Sequence, residues 1–445
     1  MATSTLALTV FSHISYAVYF CLQGRLYWVA LSSNPPQKAG KWFFCIDNDL
    51  VYWNFFLDFG PLNLGHLYRY CQLLNSKLSD NRLKDKVIYH YCGNHPHRRA
   101  NSAFLIAAWS ILYLDRTPDE AYMPFKNIQP AFPPWHDATP SICTYNLTVY
   151  DTLCGLYKAR ECGFFDFGRF SPEEYEYYEQ VENGDLNWTL GNKFIAFAGP
   201  HATRESHPGG YTTLCPEDYV PYFKKRNVQL VVRLNKKYYD SRKFTSQGID
   251  HMELYFIDGS NPPDHLLAKF LDRAESTDGA IAVHCKAGLG RTGCVIGCYM
   301  MKHYGCTANE VMGWLRIVRP GSIIGPQQQW MSDMQRRMWR EGELYRARGG
   351  RPIGLGLLEE SRRQARSCAK VEASSEPSVR GSAGSLDGIS RGLDGLHVAG
   401  ESGAKDSGRD TRLTRTRTEA EESDPRISTQ GDYLRERRMQ AKNAR

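Results

Sequence analysis

Two stretches of the chain alternate short β-branched or aromatic runs with longer segments whose apolar positions recur at helical spacing. In the first, the pattern predicts strands over 42–46, 50–55 and 87–91 and helices over 62–78 and 101–113. An apolar run over 6–22 has no Lys or Arg before it and is interrupted by Ser12, His13 and Ser15. A buried first strand is expected there rather than a signal peptide or anchor. In the second stretch, strands are expected over 194–197, 228–234, 252–256 and 280–283, with helices over 217–226, 265–274, 292–303, 307–318 and 326–341. Between them Ser171 stands as an N-cap before Pro172, with Glu173 and Glu174 in the first turn, which predicts a linking helix. The expected architecture is therefore α/β, with domains over 5–165 and 190–345 joined by a linker over 166–189. From about residue 349 aromatic residues almost vanish while Gly, Ser, Arg, Glu and Asp dominate. Burial there cannot offset chain entropy, so a disordered tail is expected over 350–445.

Composition narrows this only a little. A length of 445 residues suits two domains plus extra material, and 42% hydrophobic with 12% aromatic residues allows an aromatic-rich core. The net charge of +7 is too small for this length to argue for a nucleic-acid partner, and no membrane span is expected. Thirteen Cys lie without regular spacing, some inside apolar runs such as Cys294 and Cys298, which reads as reduced thiols in a cytosolic or nuclear compartment. No His, Asp or Cys cluster has metal-ligand spacing, so neither a metal nor a cofactor is expected.

The strongest chemical signal is Val283-His284-Cys285-Lys286-Ala287-Gly288-Leu289-Gly290-Arg291-Thr292-Gly293, placed after an apolar strand and before a helix. Strand, Gly-rich loop and helix make a phosphate cradle: successive N–H groups turn inward, the helix N-terminus adds positive charge, and the glycines let the backbone close around the anion. Cys285 at its base is the expected nucleophile, since helix dipole and cation both favour a thiolate. Arg291 would clamp two phosphate oxygens with its planar fork, and Thr292 would donate its hydroxyl to the sulfur. The departing oxygen needs a proton, and Asp258, in Phe256-Ile257-Asp258-Gly259-Ser260, ends a strand at a Gly-containing loop where a carboxylate can reach the pocket. Gln327 or Gln328, after Gly325-Pro326, would orient the hydrolytic water. His284 is expected to brace the loop rather than act as a base. A degenerate echo, Tyr91-Cys92-Gly93-Asn94-His95-Pro96-His97-Arg98, keeps the Cys-to-Arg gap. Pro96 removes an N–H and the later glycines are missing, so this half is expected to be a noncatalytic repeat.

Together with Asp58-Phe59-Gly60-Pro61-Leu62-Asn63, the run from Glu182 to Trp188, and Arg319-Pro320-Gly321-Ser322 through Gln329, these motifs resemble the cell division cycle fourteen (Cdc-fourteen) family of dual-specificity protein phosphatases. The resemblance covers about residues 5–345 and implies tandem dual-specificity-phosphatase-like domains, each a mixed sheet flanked by helices, with catalysis in the second. It implies Asp258 as general acid, and substrates that are phosphorylated proteins with phosphoserine-proline sites and a basic residue further on. Glu176, Glu179 and Asp185 match the family's acidic groove for that residue. It also implies a cell-cycle role, with the nucleus, cytoplasm, centrosome, spindle or basal body as the place of action. Two other readings are a phosphoinositide phosphatase, whose loop would need a second Lys where Leu289 stands, and a phosphoprotein-binding scaffold without turnover.

Overall fold

The computed structural model of the protein describes residues 14–20, 24–35, 37–206, 212–350 and 430–443. The first domain contains β1 (Ile14–Phe20), β2 (Leu26–Leu31), β3 (Lys41–Phe44) and β4 (Val87–Gly93), with α1 (Leu64–Ser79), α2 (Pro96–Leu114), α3 (Pro118–Tyr122) and α4 (Val149–Glu161). Its sheet runs β1-β2-β4-β3, with β1 antiparallel at one edge and the other pairs parallel. Along β4 every second residue is buried, which turns Ile88, His90 and Cys92 into the core. The opposite face is covered by a stack of Tyr27, Tyr89 and Phe43, with ring centroids 5.0 and 4.8 Å apart.

A short helix, α5 (Pro172–Glu179), joins the halves. The Ser171 hydroxyl accepts the Glu174 N–H at 3.0 Å, as its N-cap position requires. The second domain contains β5 (Leu186–Leu190), β6 (Phe194–Phe197), β7 (Glu205–Ser206), β8 (Thr212–Thr213), β9 (Val228–Arg233), β10 (Asp250–Glu253) and β11 (Ala280–His284). Its helices are α6 (Pro216–Lys225), α7 (Arg242–Thr245), α8 (Asp264–Glu275), α9 (Gly290–Tyr304), α10 (Ala308–Val318) and α11 (Gln327–Ala347). The main sheet has the order β10-β9-β11-β6-β5, parallel except for β5. β11 lies at its centre, every residue buried, because both faces are covered. Ile195, Val231 and Ala282 face a cluster with Tyr219, Phe223 and Phe244, while Ile281, Val283 and Val232 face α8 to α11.

The halves meet where α4 crosses α10. A Cβ on Gly155 would stand 2.5 Å from Glu310 O, and one on Gly313 2.9 Å from Thr152 Cα. Two glycines therefore let the helix backbones approach, and a single apolar core runs from the first sheet through this crossing into the second.

Three expectations change. Residues 50–55 do not form a strand: the Asp58 carboxylate accepts the N–H groups of Phe55 at 2.9 Å and Phe56 at 2.7 Å and the Tyr52 hydroxyl at 2.7 Å, fixing an irregular loop instead. The linking helix is shorter than 166–189: it begins at the Ser171 cap and ends at Glu179, where Gln180 is extended (ψ 142°), and a short turn over Val181–Asn183 leads through Gly184 at φ 133° into β5. Within the expected disordered tail, residues 430–443 form a helix, α12 (Gln430–Asn443), lying on the second domain. The rest of that tail, 351–429 and 444–445, lies outside the described residues, as do 1–13 and 21–23 of the N-terminal run.

Candidate active site

Parallel sheets place ligands at the carboxyl ends of their strands, and β11 delivers Cys285 there, with α9 beginning five residues later. The loop between them is shaped by what holds its carbonyls. Cys285 O accepts from His284 Nδ1 at 2.9 Å, Lys286 O from the Gly199 N–H at 3.0 Å, Ala287 O from Arg319 Nη2 at 3.0 Å and Gly288 O from Arg319 Nε at 2.7 Å. Four consecutive carbonyls are thus tied outward, which leaves the intervening N–H groups to converge inward as an anion nest. Gly288 sits at φ 67°, and a Cβ there would collide with Phe197 O, so no other residue closes this turn.

His284 braces the loop as expected. Burial lowers its pKa well below the ordinary histidine value, so the ring is neutral. With Nδ1 donating to Cys285 O, Nε2 accepts from the Tyr239 hydroxyl at 2.7 Å.

Arg291, almost fully buried, donates through Nη1 to Phe256 O at 2.8 Å and lies 3.1 Å through Nη2 from Asp258 Oδ1. Nucleophile loop, clamp and candidate acid therefore share one pocket. The Thr292 hydroxyl is buried with no hydrogen-bond partner among the described residues, so its expected bond to the sulfur is not formed in this arrangement.

The two candidate glutamines separate. Gln327 Nε2 donates to Ser260 O of the acid loop at 3.1 Å, and its Oε1 lies 2.6 Å from where a Cβ on Gly290 would stand, so its amide bridges acid loop and phosphate loop. Gln328 turns the other way, its Oε1 accepting from Arg316 Nη2 at 2.6 Å.

The acidic groove separates too. Glu179 and Asp185 face one side chain, Arg438 of α12, at 3.8 and 3.2 Å. Glu176 does not join them: both its oxygens are taken by Arg69 of α1, at 2.8 and 2.7 Å, because that guanidinium lies across α5. Asp185 is nearly buried and also pairs with Arg319 at 3.0 Å, so it is as much a support of the loop as a wall of the groove.

Two contributors carry no chemical signal of their own in the sequence. Arg319 appeared only as part of a motif, yet it is fully buried and joins two loop carbonyls to Asp185 and Asn187 Oδ1. Phe55, from the first domain, packs with Ala287, Leu289 and Ile324 over the loop. A cavity of about 260 Å³ lies beside it, lined by Tyr52, Phe55, Asn63, Glu179, Pro320 and Arg438 among others. The Asp58 motif was the available signal for this lid, since that carboxylate fixes the turn presenting Phe55.

In the first domain the echo loop is closed. The Asp47 carboxylate accepts the Gly93 N–H at 2.7 Å and lies 3.8 Å from Arg98, standing where an anion would sit. Cys92 points into the core, and burial, with the nearby Asp47 charge, pushes its thiol pKa far up.

The family model for the N-terminal half of dual specificity protein phosphatases matches residues 20–159, and that for the dual specificity phosphatase catalytic domain matches 224–337. Dual specificity protein phosphatase CDC14A of Mus musculus is 50% identical over 339 residues, 76% of this chain and 56% of that protein. CDC14C of Homo sapiens is 46% identical over 331 residues, 74% of each chain. Tyrosine-protein phosphatase CDC14 of Saccharomyces cerevisiae is 38% identical over 359 residues, 77% of this chain and 64% of that protein. The chain spans a little over half the length of the CDC14A relatives it matches.

Proposed function

The chain belongs to the CDC14 dual-specificity protein phosphatases, and from that premise we propose that it hydrolyses phosphoserine, phosphothreonine and phosphotyrosine in proteins through a phosphocysteine intermediate. The observation that carries this is the nest at Cys285, with Arg291 and Asp258 in the same pocket. The Cys285 sulfur attacks phosphorus, and the S–P bond forms as the bond to the side-chain oxygen breaks. Asp258 gives that oxygen its proton, so the leaving group departs neutral. The Asp258 carboxylate then takes a proton from water held by the Gln327 amide, the water oxygen bonds to phosphorus, and the thiolate leaves. Glu179 and Asp185 supply negative charge for a basic residue downstream of the phosphorylated one, and the preference for phosphoserine-proline sites of the cyclin-dependent-kinase type is proposed on family membership. Leu289, buried beneath Phe55, brings no cation for a second phosphate, which speaks against inositol lipids. A cell-cycle role in the nucleus or at the centrosome is proposed on family membership alone.

The test is turnover of a phosphoserine-proline peptide by Cys285→Ser and Asp258→Ala. Cys285→Ser is expected to bind without turnover. Asp258→Ala is expected to lose roughly 100-fold or more on the peptide and far less on an aryl phosphate with a good leaving group. Full activity of Cys285→Ser sinks the mechanism.

A further inference from the structure

We propose that Asp137, from the first domain, is a positioning residue for the second chemical step: it holds the peptide unit on which Gln327 rests, and so aims the amide that orients the hydrolytic water. This rests on the phosphatase reading above, whose second step uses that water. Gln327 opens α11, and its aim depends on the turn before it. The Gln327 backbone N–H donates to Ile324 O at 3.3 Å, its side-chain Oε1 accepts the Ile324 N–H at 3.3 Å, and its Nε2 reaches Ser260 O at 3.1 Å. The peptide unit joining Ile324 to Gly325 therefore has its carbonyl on Gln327. The other end of that unit, the Gly325 N–H, donates to Asp137 Oδ2 at 2.5 Å, 188 positions away in the chain.

The turn has little stiffness of its own at this point. Flipping a peptide unit changes ψ of the residue before it and φ of the one after it. The one after is Gly325, at φ 57° with nothing within 4 Å of where a Cβ would stand. A glycine there moves between backbone wells at little steric cost, so the unit keeps its orientation through what accepts its N–H. Two residues earlier Ile323 sits at φ 58°, a conformation that a β-branched residue holds only where its surroundings fix it. Those surroundings are two buried charges, one from each half. Arg316 of α10 donates to Ser322 O and Ile323 O at 3.2 and 2.9 Å, and Asp137 takes the Gly325 N–H from the other side. Asp137 is itself held in place: it is 2% exposed, and its Oδ1 accepts the Thr139 hydroxyl at 2.9 Å. Just before it, Trp135 is bridged to Leu147 and donates through Nε1 to the Thr152 hydroxyl of α4 at 2.7 Å. Ala138, just after it, packs in the same cluster as Ile324 and the phosphate-loop residues Ala287 and Leu289. Since α4 crosses α10, both arms of this clasp stand on one contact between the halves. Both oxygens of Asp137 are engaged within the protein, so it serves as a backbone acceptor rather than as a charge for a substrate cation.

The full-length chain is compared with Asp137→Ala, Asp137→Asn, Gln327→Ala and the double variant of Asp137→Ala with Gln327→Ala. Asparagine keeps an oxygen for the Gly325 N–H and loses the charge, whereas alanine loses both. In single turnovers of p-nitrophenyl phosphate, release of the phenol reports formation of the S–P bond and release of phosphate reports its hydrolysis. Amide hydrogen exchange over residues 320–331 reports the turn. Asp137→Ala is expected to expose the turn, leave phenol release unchanged and slow phosphate release about tenfold, the scale of a misplaced catalytic group. Asp137→Asn should stay close to the wild type in all three, and the double variant should be no slower than Gln327→Ala alone, since the two act through one amide. Phenol and phosphate release slowed equally in Asp137→Ala, unchanged phosphate release, an asparagine variant as slow as the alanine one, or a double variant carrying the product of both losses each overturn the positioning role. If Asp137→Ala does not fold, Asp137→Ser, too short to reach Gly325, is judged by the same outcomes. No phosphate trapped on Cys285 in any of the proteins overturns the phosphatase reading and the role of Asp137 in it. Exchange then still tells whether Asp137 holds the turn, so the two failures are distinguishable.

Discussion

Arg319 shows what one side chain contributes at this site. Its guanidinium donates to Ala287 O and Gly288 O on one side and is held by Asp185 and Asn187 on the other. Burial lowers its pKa to about 10, so it remains charged at neutral pH. Lysine keeps the charge but has no planar fork to serve both carbonyls and both acceptors. In Arg319→Lys the loop N–H groups lose their fixed inward aim. The expected outcome is a loss of about tenfold or more in kcat/KM, with weaker tungstate binding measured by calorimetry on the Cys285→Ser background. Unchanged oxyanion affinity would remove Arg319 from the positioning role. Gln327 and Gln328, adjacent and chemically identical, are divided by the same kind of detail: Arg316 claims one, and the acid loop takes the other.

At the level of elements, the α4–α10 crossing decides whether the first domain can reach the site at all. Gly155 and Gly313 set the separation of the two helices, and through it the position of the Phe55 turn over the phosphate loop. Gly313→Leu forces a side chain against Thr152 and is expected to cost about 1–3 kcal/mol by overpacking, measured as a lower urea midpoint. Activity on the phosphopeptide should fall further than on a small aryl phosphate, since only the peptide uses surface from both halves. The elements also show where pattern reading works. The strand 194–197 and the buried β11 are apolar runs bounded by turns, and they lie where the pattern placed them. Residues 50–55 are also rich in apolar residues but form a loop, because the Asp58 carboxylate takes the Phe55 and Phe56 N–H groups and the Tyr52 hydroxyl.

Across the whole molecule, the acidic groove has walls from the linker and the second domain, a rim from the first, and Arg438 of α12 beside its carboxylates. Glu179→Lys is expected to reduce the ratio of kcat/KM between peptides with and without a distal Arg by about tenfold, the scale of a partly buried charge pair. Glu176→Lys should leave that ratio nearly unchanged, because Arg69 already occupies its carboxylate. Equal effects of the two substitutions would return Glu176 to the groove.

The chemistry proposed for this protein is local, and the sequence by itself determined which residues it draws on. A strand, a glycine-bearing loop with Cys285 and Arg291 at fixed spacing, and a helix form a phosphate nest from contiguous residues, and Asp258 is marked by its strand end. Linking positions far apart in the chain depends on how the elements pack. Tertiary structure alone set Gln327 against the acid loop and Gln328 against Arg316, turned Glu176 to Arg69, gave Arg319 the loop carbonyls, filled the echo loop with the Asp47 carboxylate and brought the Gly431 N–H of α12 to Asp258. The helix α12 is the sharpest case. Its composition carries little apolar surface, and the cluster that buries Leu434 is assembled from residues 55, 287, 289 and 324, which become neighbours only once both domains have folded.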